Sequence, residues 1–389
     1  MDHGRDDDAQ RTGVFRRDGS GGYDEIEKLY RSKRRSAGST RRMPSVRDRP
    51  RGREYDGTGA ARERRRSGEL RRRRALRTTG AVLALVVLAP LVFGIGFYLW
   101  ADGRLERVEA MPPADGRPEE QPGTTYMVVG SDSRKGLSDD ELQDLRTGRA
   151  EGKRTDTIMV VYVPEDGRPA IVSVPRDSYV DIPGIGQNKI NAAFAENLGG
   201  GPSTLVQTFE QASGVRIDHY VEIGFAGFVD IVDAVGGVEM CPEEAMEDPK
   251  AGLDIEAGCQ DMDGATALGY VRTRASARAD LDRIQRQREF FSALVSKATG
   301  ASTLANPFRL VPLVREGTET FEVDQDDHLM DLGGMALAMR EDPATTSVPV
   351  GSTPTLNVGS VVLWDEAASE EMFSAMREGQ EIPEDAMRD

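Results

Sequence analysis

At 389 residues the chain can hold one large domain or two small ones, and its formal charge of −16 is unevenly spread. Residues 1–77 hold 24 Arg or Lys against 13 Asp or Glu, a net of +11, which leaves −27 for residues 78–389. That asymmetry excludes a single environment for the two parts.

The first 77 residues are dominated by Gly, Ser, Arg and Asp, with almost no apolar periodicity. Such a segment buries too little surface to offset its ordering entropy, so 1–77 is predicted to be a disordered, Arg-rich tail. It ends in RRRRALR (71–77). From Thr78 to Ala101 there are 24 residues without a charge, around the apolar core AVLALVVLAPLVFGIGFYLW (81–100). About 20 apolar residues cross a bilayer, so 78–101 is predicted to be one transmembrane helix. Membrane helices tolerate Pro90, and Tyr98 and Trp100 lie where amphipathic rings prefer the interface. The run is too long and starts too late for a cleaved signal peptide. The arginine block predicts a single-pass protein of the cell membrane, with the tail cytoplasmic and residues 102–389 extracytoplasmic.

Both cysteines, Cys241 and Cys259, fall in the exported part, where oxidising surroundings make a disulfide the default. A thiol nucleophile or a metal pair would need histidine support, and only His3, His219 and His328 exist.

Residues 102–123 are rich in Pro, Gly and charge and read as a linker to a domain over 124–376, with a C-terminal tail at 377–389. Three strand-like runs open the domain: TTYMVVG (124–130), TIMVVYV (157–163) and PAIVSV (169–174). PEDGR (164–168) joins the last two as a hairpin, which makes them antiparallel neighbours. Asp156, before the second strand, and Arg176, after the third, then share one sheet edge. If the first strand runs parallel to the third, Asp132 and Arg134 of GSDSR (130–134) crowd that edge too. Ligands of α/β sheets commonly bind outside strand ends.

QNKINAAFAENLGGGPSTLVQTFEQASG (187–214) reads as two helices around a Gly-rich break. IDHYVEIGF (217–225) reads as a strand, with His219 structural within it. GFVDIVDAVGG (227–237) is predicted to be an amphipathic helix with Phe228, Ile231, Val232 and Val235 inward. YVRTR (270–274) reads as extended, which puts Arg272 and Arg274 on one face. A helix is predicted from Ala279, with Ile284, Phe291, Leu294, Val295 and Ala298 on its apolar face. Arg283 and Gln287 project onto that face, where an arginine needs a partner. Arg278, in a polar loop, and Arg288, at a helix border, are expected to be solvated or surface-paired, and Arg286 stays open. Alternating helices and strands predict an α/β domain with a mixed sheet.

Common catalytic signatures are missing. No HExxH occurs, GSDSRKG (130–136) has its Lys before the second Gly and so is no P-loop, and no serine–histidine pairing is suggested. Carboxylates and arginines remain. The arginine fork matches two phosphate oxygens. Carboxylates with few nitrogen ligands suit Mg²⁺, which binds through one or two acids and the substrate's own phosphates. Together they describe a site for a metal-bridged pyrophosphate, unless the acids and arginines simply pair with each other.

GSDSR (130–134), RTDTIMV (154–160), SVPRDSYVDIPGIGQNKINAA (173–193), IDHYVEIGFAGFVDIVDAVGGVEM (217–240), DGATALGYVRTR (263–274) and DLDRIQRQREF (280–290) together resemble the LytR-CpsA-Psr family. Its members are membrane-anchored ligases of cell-wall glycopolymers, mainly in Gram-positive bacteria. The resemblance runs in order from about Thr124 to Ala298, and STPTLNVGSVVLWDEAASEEMFSAM (352–376) extends it more weakly. Few lysines among the basic residues suggest a GC-rich, actinobacterial genome. The resemblance implies an α-β-α sandwich around a mixed central sheet. It implies a phosphotransferase that moves a glycan phosphate from a polyprenyl-pyrophosphate carrier to a peptidoglycan hydroxyl and releases polyprenyl phosphate. It further implies Mg²⁺ on Asp132 and Asp156. Pyrophosphate would be bound by Arg176, Arg272, Arg274 and Arg283, with Gln287 beside them and Arg134 and Arg154 in the same cluster. Asp280 would lie near the reacting phosphates and could act as base. ASARADLD (275–282) departs from the family, whose members more often carry His, Gly and Asp there.

Two rivals come from other classes. A regulator could bind nucleic acid through its basic tail, since phosphates attract it. No helix-turn-helix pattern supports that, and topology already accounts for the arginines, so no nucleic acid partner is expected. A non-catalytic binder of polyprenyl pyrophosphate, or a pyrophosphatase, would use the same residues as the transferase.

Overall fold

The structure is a computed structural model that describes residues 58–135, 137–146, 153, 155–273, 280–340 and 343–387. The chain divides into two compact units, Met1–Val82 and Leu83–Asp389. Most of the predicted disordered tail lies outside the described residues. The rest is helical: α1 (Thr58–Asp102) begins 20 residues before the expected span. The reason is local, because ARERRRSGELRRRRALR consists largely of good helix formers. The stretch Arg71–Asp102 is long and apolar enough to cross a membrane. Most of its apolar side chains from Val82 to Leu99 are exposed, with Phe97 half-buried.

The second unit is built on one seven-stranded mixed sheet. Its strands are β1 (Glu106–Val108), β2 (Thr124–Ser131), β3 (Thr155–Val163), β4 (Ala170–Ser173), β5 (His219–Ile223), β6 (Phe321–Asp324) and β7 (Ala344–Ser347). Their spatial order is β1-β6-β5-β2-β3-β4-β7. β3 is antiparallel to both β2 and β4, so β2 and β4 point the same way, as the shared edge requires. β5 runs parallel to β2 and ends at that edge as well.

The central strands are buried on both faces and read as continuous apolar runs. On one face Met127, Val129, Val160 and Tyr162 meet helices α2 (Pro202–Ser213) and, further along the chain, Glu366–Arg377, through Phe209, Met372 and Phe373. A second core joins α3 (Phe225–Ala234), α4 (Gly264–Arg272) and α5 (Asp280–Thr299) through Ile231, Val232, Tyr270, Phe290 and Leu294. Beyond them lie α6 (Pro307–Thr320), α7 (Leu329–Ala338) and α8, the helix Glu366–Arg377. α5 and α7 cover the other face of the sheet, packing Val295, Met335 and Met339 on Tyr126, Val128 and Met159. Helices on both faces make the α-β-α sandwich.

Three segments differ from their expected form. Residues 106–108, inside the expected linker, form edge strand β1 parallel to β6, and three residues are too few for alternation to show. Of two expected helices in 187–214, only α2 is an α-helix. Gly186–Lys189 pairs as a strand with Tyr179–Ile182, and Ile190–Phe194 is a 3₁₀ turn. Gly200 folds back so closely that a Cβ there would collide with the Ala193 carbonyl. The expected tail, 377–389, is anchored over its described part, 377–387, with Ile382 and Ala386 buried in the first core.

Cys241 and Cys259, 18 positions apart, form a disulfide. In the chain-entropy model a loop of that length stabilises by about 3 kcal/mol. Replacing both cysteines by Ala should lower the urea midpoint accordingly, and an unchanged midpoint would remove the link from the account.

Candidate active site

The site forms where β2, β4 and β5 end and β3 begins. β2 leaves the sheet through a bulge at Gly130–Ser131, which leads into Asp132 and Arg134. Asp156 is the second residue of β3. Gly224 links β5 to α3 with the backbone of Ser133 close by: a Cβ there would lie 3.2 Å from the Ser133 carbonyl oxygen.

A cavity of about 270 Å³ opens at this edge. Its polar lining is Ser131, Asp132, Asp156, Thr157, Arg272, Arg283 and Gln287, and its apolar lining includes Val128, Met159, Phe228, Phe290, Phe291 and Leu294. An acid just after β2, another in β3, arginines from two helices and an aromatic wall thus share one space. A second, more polar groove of about 560 Å³ adjoins it, lined by Arg176, Asp177, Arg283, Arg288 and Ser347 among others. Arg283 borders both.

The charges at this edge partner one another. Arg176 is ion-paired with Asp156, and its Nε lies 3.4 Å from Asp177 Oδ2. Arg134 Nη1 donates to the Asp132 carbonyl at 3.2 Å and lies 4.0 Å from its carboxylate. Arg272 donates to the carbonyls of Leu145 (2.9 Å) and Arg146 (3.2 Å), with its guanidinium 4.9 Å over the Phe225 ring. Burial, and then the nearby charge of Arg134, push the Arg272 pKa down, against the pull of Asp156 and Asp248. Cations crowded in this way would be relieved by an incoming polyanion.

On α5 the periodicity argument places two side chains well. Arg283 is 3% exposed on the inward side, and Gln287, one turn later, donates to the Val271 carbonyl at 3.1 Å. Two expectations need correction. Arg288 is 3% exposed, not solvated, and donates to Ser347 Oγ at 3.0 Å, because β7 packs along that border of the helix. Residues 270–272 are helical, not extended: Asp263 caps α4 by accepting from the Thr266 N–H at 2.9 Å, and the helix runs through Arg272. The extended form from which Arg272 and Arg274 were placed on one face is therefore absent at Arg272. Arg286, left open, is buried and donates to the Thr273 carbonyl at 2.7 Å, tying the end of α4 to α5. Arg154, Arg274 and Arg278 lie outside the described residues, and Asp280 opens α5.

A buried charge cluster behind the edge was missed. Lys153 Nζ lies 2.6 Å from both Glu222 on β5 and Glu322 on β6. Burial pushes the Glu222 carboxyl up despite Lys153. Burial also opposes charge on Lys153, but the two glutamates outweigh it and its pKa rises. The signal was present in HYVEI, where Glu222 occupies the same strand face as Tyr220.

His219 is structural. It stacks on Tyr126 at 4.7 Å, and its Nδ1 lies 2.5 Å from Asp327 Oδ1. Asp327 also accepts from the Tyr220 backbone N–H at 2.9 Å. Burial lowers the His219 pKa, but the bond and charge of Asp327 outweigh it and raise it above the usual imidazole value. Its contribution to stability is therefore complete below about pH 6.5 and lost as pH rises through the higher folded value. The melting-temperature gap between wild type and His219→Gln should shrink from pH 6 to pH 9. A gap independent of pH would mean that the contact is not an ion pair.

Residues 103–378 match the model of the LytR_cpsA_psr family. The chain is 52% identical over 315 residues to the “Probable cell wall biosynthesis protein LcpB” of Corynebacterium glutamicum, covering 81% of this chain and 74% of that protein. It is 36% identical over 176 residues to the polyisoprenyl-teichoic acid–peptidoglycan teichoic acid transferase TagU of Enterococcus faecalis, across 44% of this chain and 56% of that one. The LytR-Csp2A-Psr enzyme from Actinomyces oris superposes with a TM-score of 0.56 at 20% identity, over 71% of this chain and 96% of the other. TagT bound to LIIa-WTA does so at 0.51 and 22% identity, over 68% and 97%. At these identities the structural likenesses speak for the fold alone. The family model covers most of the chain and the whole sheet, and the chain belongs to the LytR_cpsA_psr family.

Proposed function

We propose that the protein is a membrane-anchored phosphotransferase of cell wall assembly. It would move a glycopolymer phosphate from a polyprenyl-pyrophosphate carrier to a peptidoglycan hydroxyl and release polyprenyl phosphate. One observation carries this reading: an aromatic and aliphatic cavity meets Asp132, Asp156, Arg272 and Arg283 at a single sheet edge. An amphiphile with an isoprenoid tail and a diphosphate head satisfies both parts of that lining. Similarity to the teichoic acid transferase TagU supports the transfer, and similarity to LcpB supports a place in cell wall biosynthesis. The exposed apolar stretch of α1 supports a single membrane anchor, with the arginine-rich side cytoplasmic.

Arg272 and Arg283 would hold the diphosphate and offset charge as it grows on the leaving oxygen. Arg176, on the polar groove, would leave Asp156 for phosphate oxygens. The acceptor hydroxyl oxygen forms a bond to the phosphorus that carries the glycan, and the bond from that phosphorus to the bridging oxygen breaks. The hydroxyl proton passes to a carboxylate, which we assign to Asp280, three residues before Arg283. The cavity's apolar wall excludes water from the carrier side and so favours transfer over hydrolysis. Asp132 and Asp156 fit Mg²⁺, being hard oxygen donors in one cavity whose lining holds no histidine. There Mg²⁺ would neutralise part of the diphosphate charge.

The test is a transfer assay across a Mg²⁺ titration. Asp156→Asn should raise the Mg²⁺ concentration needed for half-maximal turnover. An unchanged dependence in both Asp132→Asn and Asp156→Asn would rule them out as ligands.

A further inference from the structure

Helix α7 is apolar on both sides. Leu332 and Met335 face the interior, while Met330 is 69% exposed and Leu337 54%. Met330 and Leu337 are seven residues apart on one helical face, with exposed Gly334 between them. Single exposed apolar side chains are ordinary on protein surfaces. What distinguishes this pair is where α7 begins.

Asp102, the last residue of α1, accepts a hydrogen bond from the Leu329 backbone N–H at 2.8 Å and lies 3.2 Å from His328 Nδ1. Arg107 closes the joint, reaching Asp102 Oδ2 at 3.1 Å and donating to the Asp327 carbonyl at 3.3 Å. The apolar run of α1 ends at Trp100, and Arg104 stacks over that ring at 4.9 Å. Tryptophan prefers the headgroup level of a bilayer. Met330 is thus one residue from the point where α7 is bound to the end of the apolar span. At about 3.8 Å per residue, it lies on the order of 10 Å from that end. The headgroup layer is roughly 5–8 Å deep, and interfacial helices bury their apolar face about 5–10 Å into it.

We propose that α7 is a second membrane contact, with Met330 and Leu337 seated in the headgroup–acyl boundary of the leaflet where α1 ends. This rests on the anchoring reading above. It also gives the cavity a short route to the bilayer. The inner face of α7 packs on Val128 and Met159, and those same two side chains line the cavity. A carrier tail leaving the leaflet beside α7 would meet a continuous apolar layer.

The experiment uses the full chain in lipid nanodiscs, with nitroxide labels on single introduced cysteines. The sites are Leu88→Cys within α1, Met330→Cys, Leu337→Cys and, as an aqueous control on the opposite sheet face, Glu371→Cys. The native cysteines are disulfide-bonded and do not take the label. Collision with oxygen is compared with collision with a water-soluble nickel chelate. Oxygen should dominate at positions 88, 330 and 337, and the chelate at 371. Chelate-dominated signals at both 330 and 337, with 88 in lipid, overturn the contact and leave the anchor intact. A lipid signal at 330 alone overturns the two-point seating. A chelate-dominated signal at 88 overturns anchor and contact together.

Discussion

Arg272→Ala and Arg283→Ala are each expected to slow glycan transfer by on the order of 10²–10³, the usual cost of removing one charge-stabilising donor from a closed site. Both side chains line the cavity that holds Asp132 and Asp156, and they reach it from different helices. Arg288 and Arg286 are the controls. Arg288 spends a donor on Ser347 and Arg286 on the Thr273 carbonyl, so their loss should cost about 1–3 kcal/mol of stability through unpaired buried groups. The signature is therefore a split: rates fall at 272 and 283, while melting temperatures fall at 286 and 288. Equal rate losses at all four positions would mean that the arginines act as a diffuse positive field.

Lys153→Met should have the largest effect on folding. It leaves Glu222, almost wholly buried, beside Glu322 with no cation between them. Removing one partner of a buried ion pair costs about 3–5 kcal/mol. Lys153 is partly open to solvent, which argues for the lower end of that range. Urea denaturation should show the loss, and Glu222→Leu added to Lys153→Met should recover part of it, because the stranded charge is gone. If the double variant is as unstable as the sum of the two singles, the cluster is not the source.

Much of the site edge was legible before the fold. The Asp-Gly hairpin at 164–168 sets β3 and β4 antiparallel, and from there the co-location of Asp132, Asp156 and Arg176 depends only on the direction of β2. The helical repeat of α5 likewise turned Arg283 and Gln287 inward. What stayed hidden depends on distant partners. The burial of Arg288 needs Ser347, which lies 59 positions away. The helical form of Tyr270–Arg272 is set by a cap at Asp263, against the extended preference of Tyr and Val. β1 and the anchored C-terminus are too short or too polar to show a period, and tertiary packing alone orders them.

In the proposed reaction a phosphorus atom changes partners. The most direct measurement supplies the membrane-embedded chain with a polyprenyl-pyrophosphate glycan, radiolabelled at the glycan-side phosphorus, together with peptidoglycan and Mg²⁺. Label is expected in peptidoglycan as a phosphodiester, with polyprenyl monophosphate formed in equal amount. Label released as free glycan phosphate in the presence of acceptor, or a donor that is bound but never converted, would contradict it.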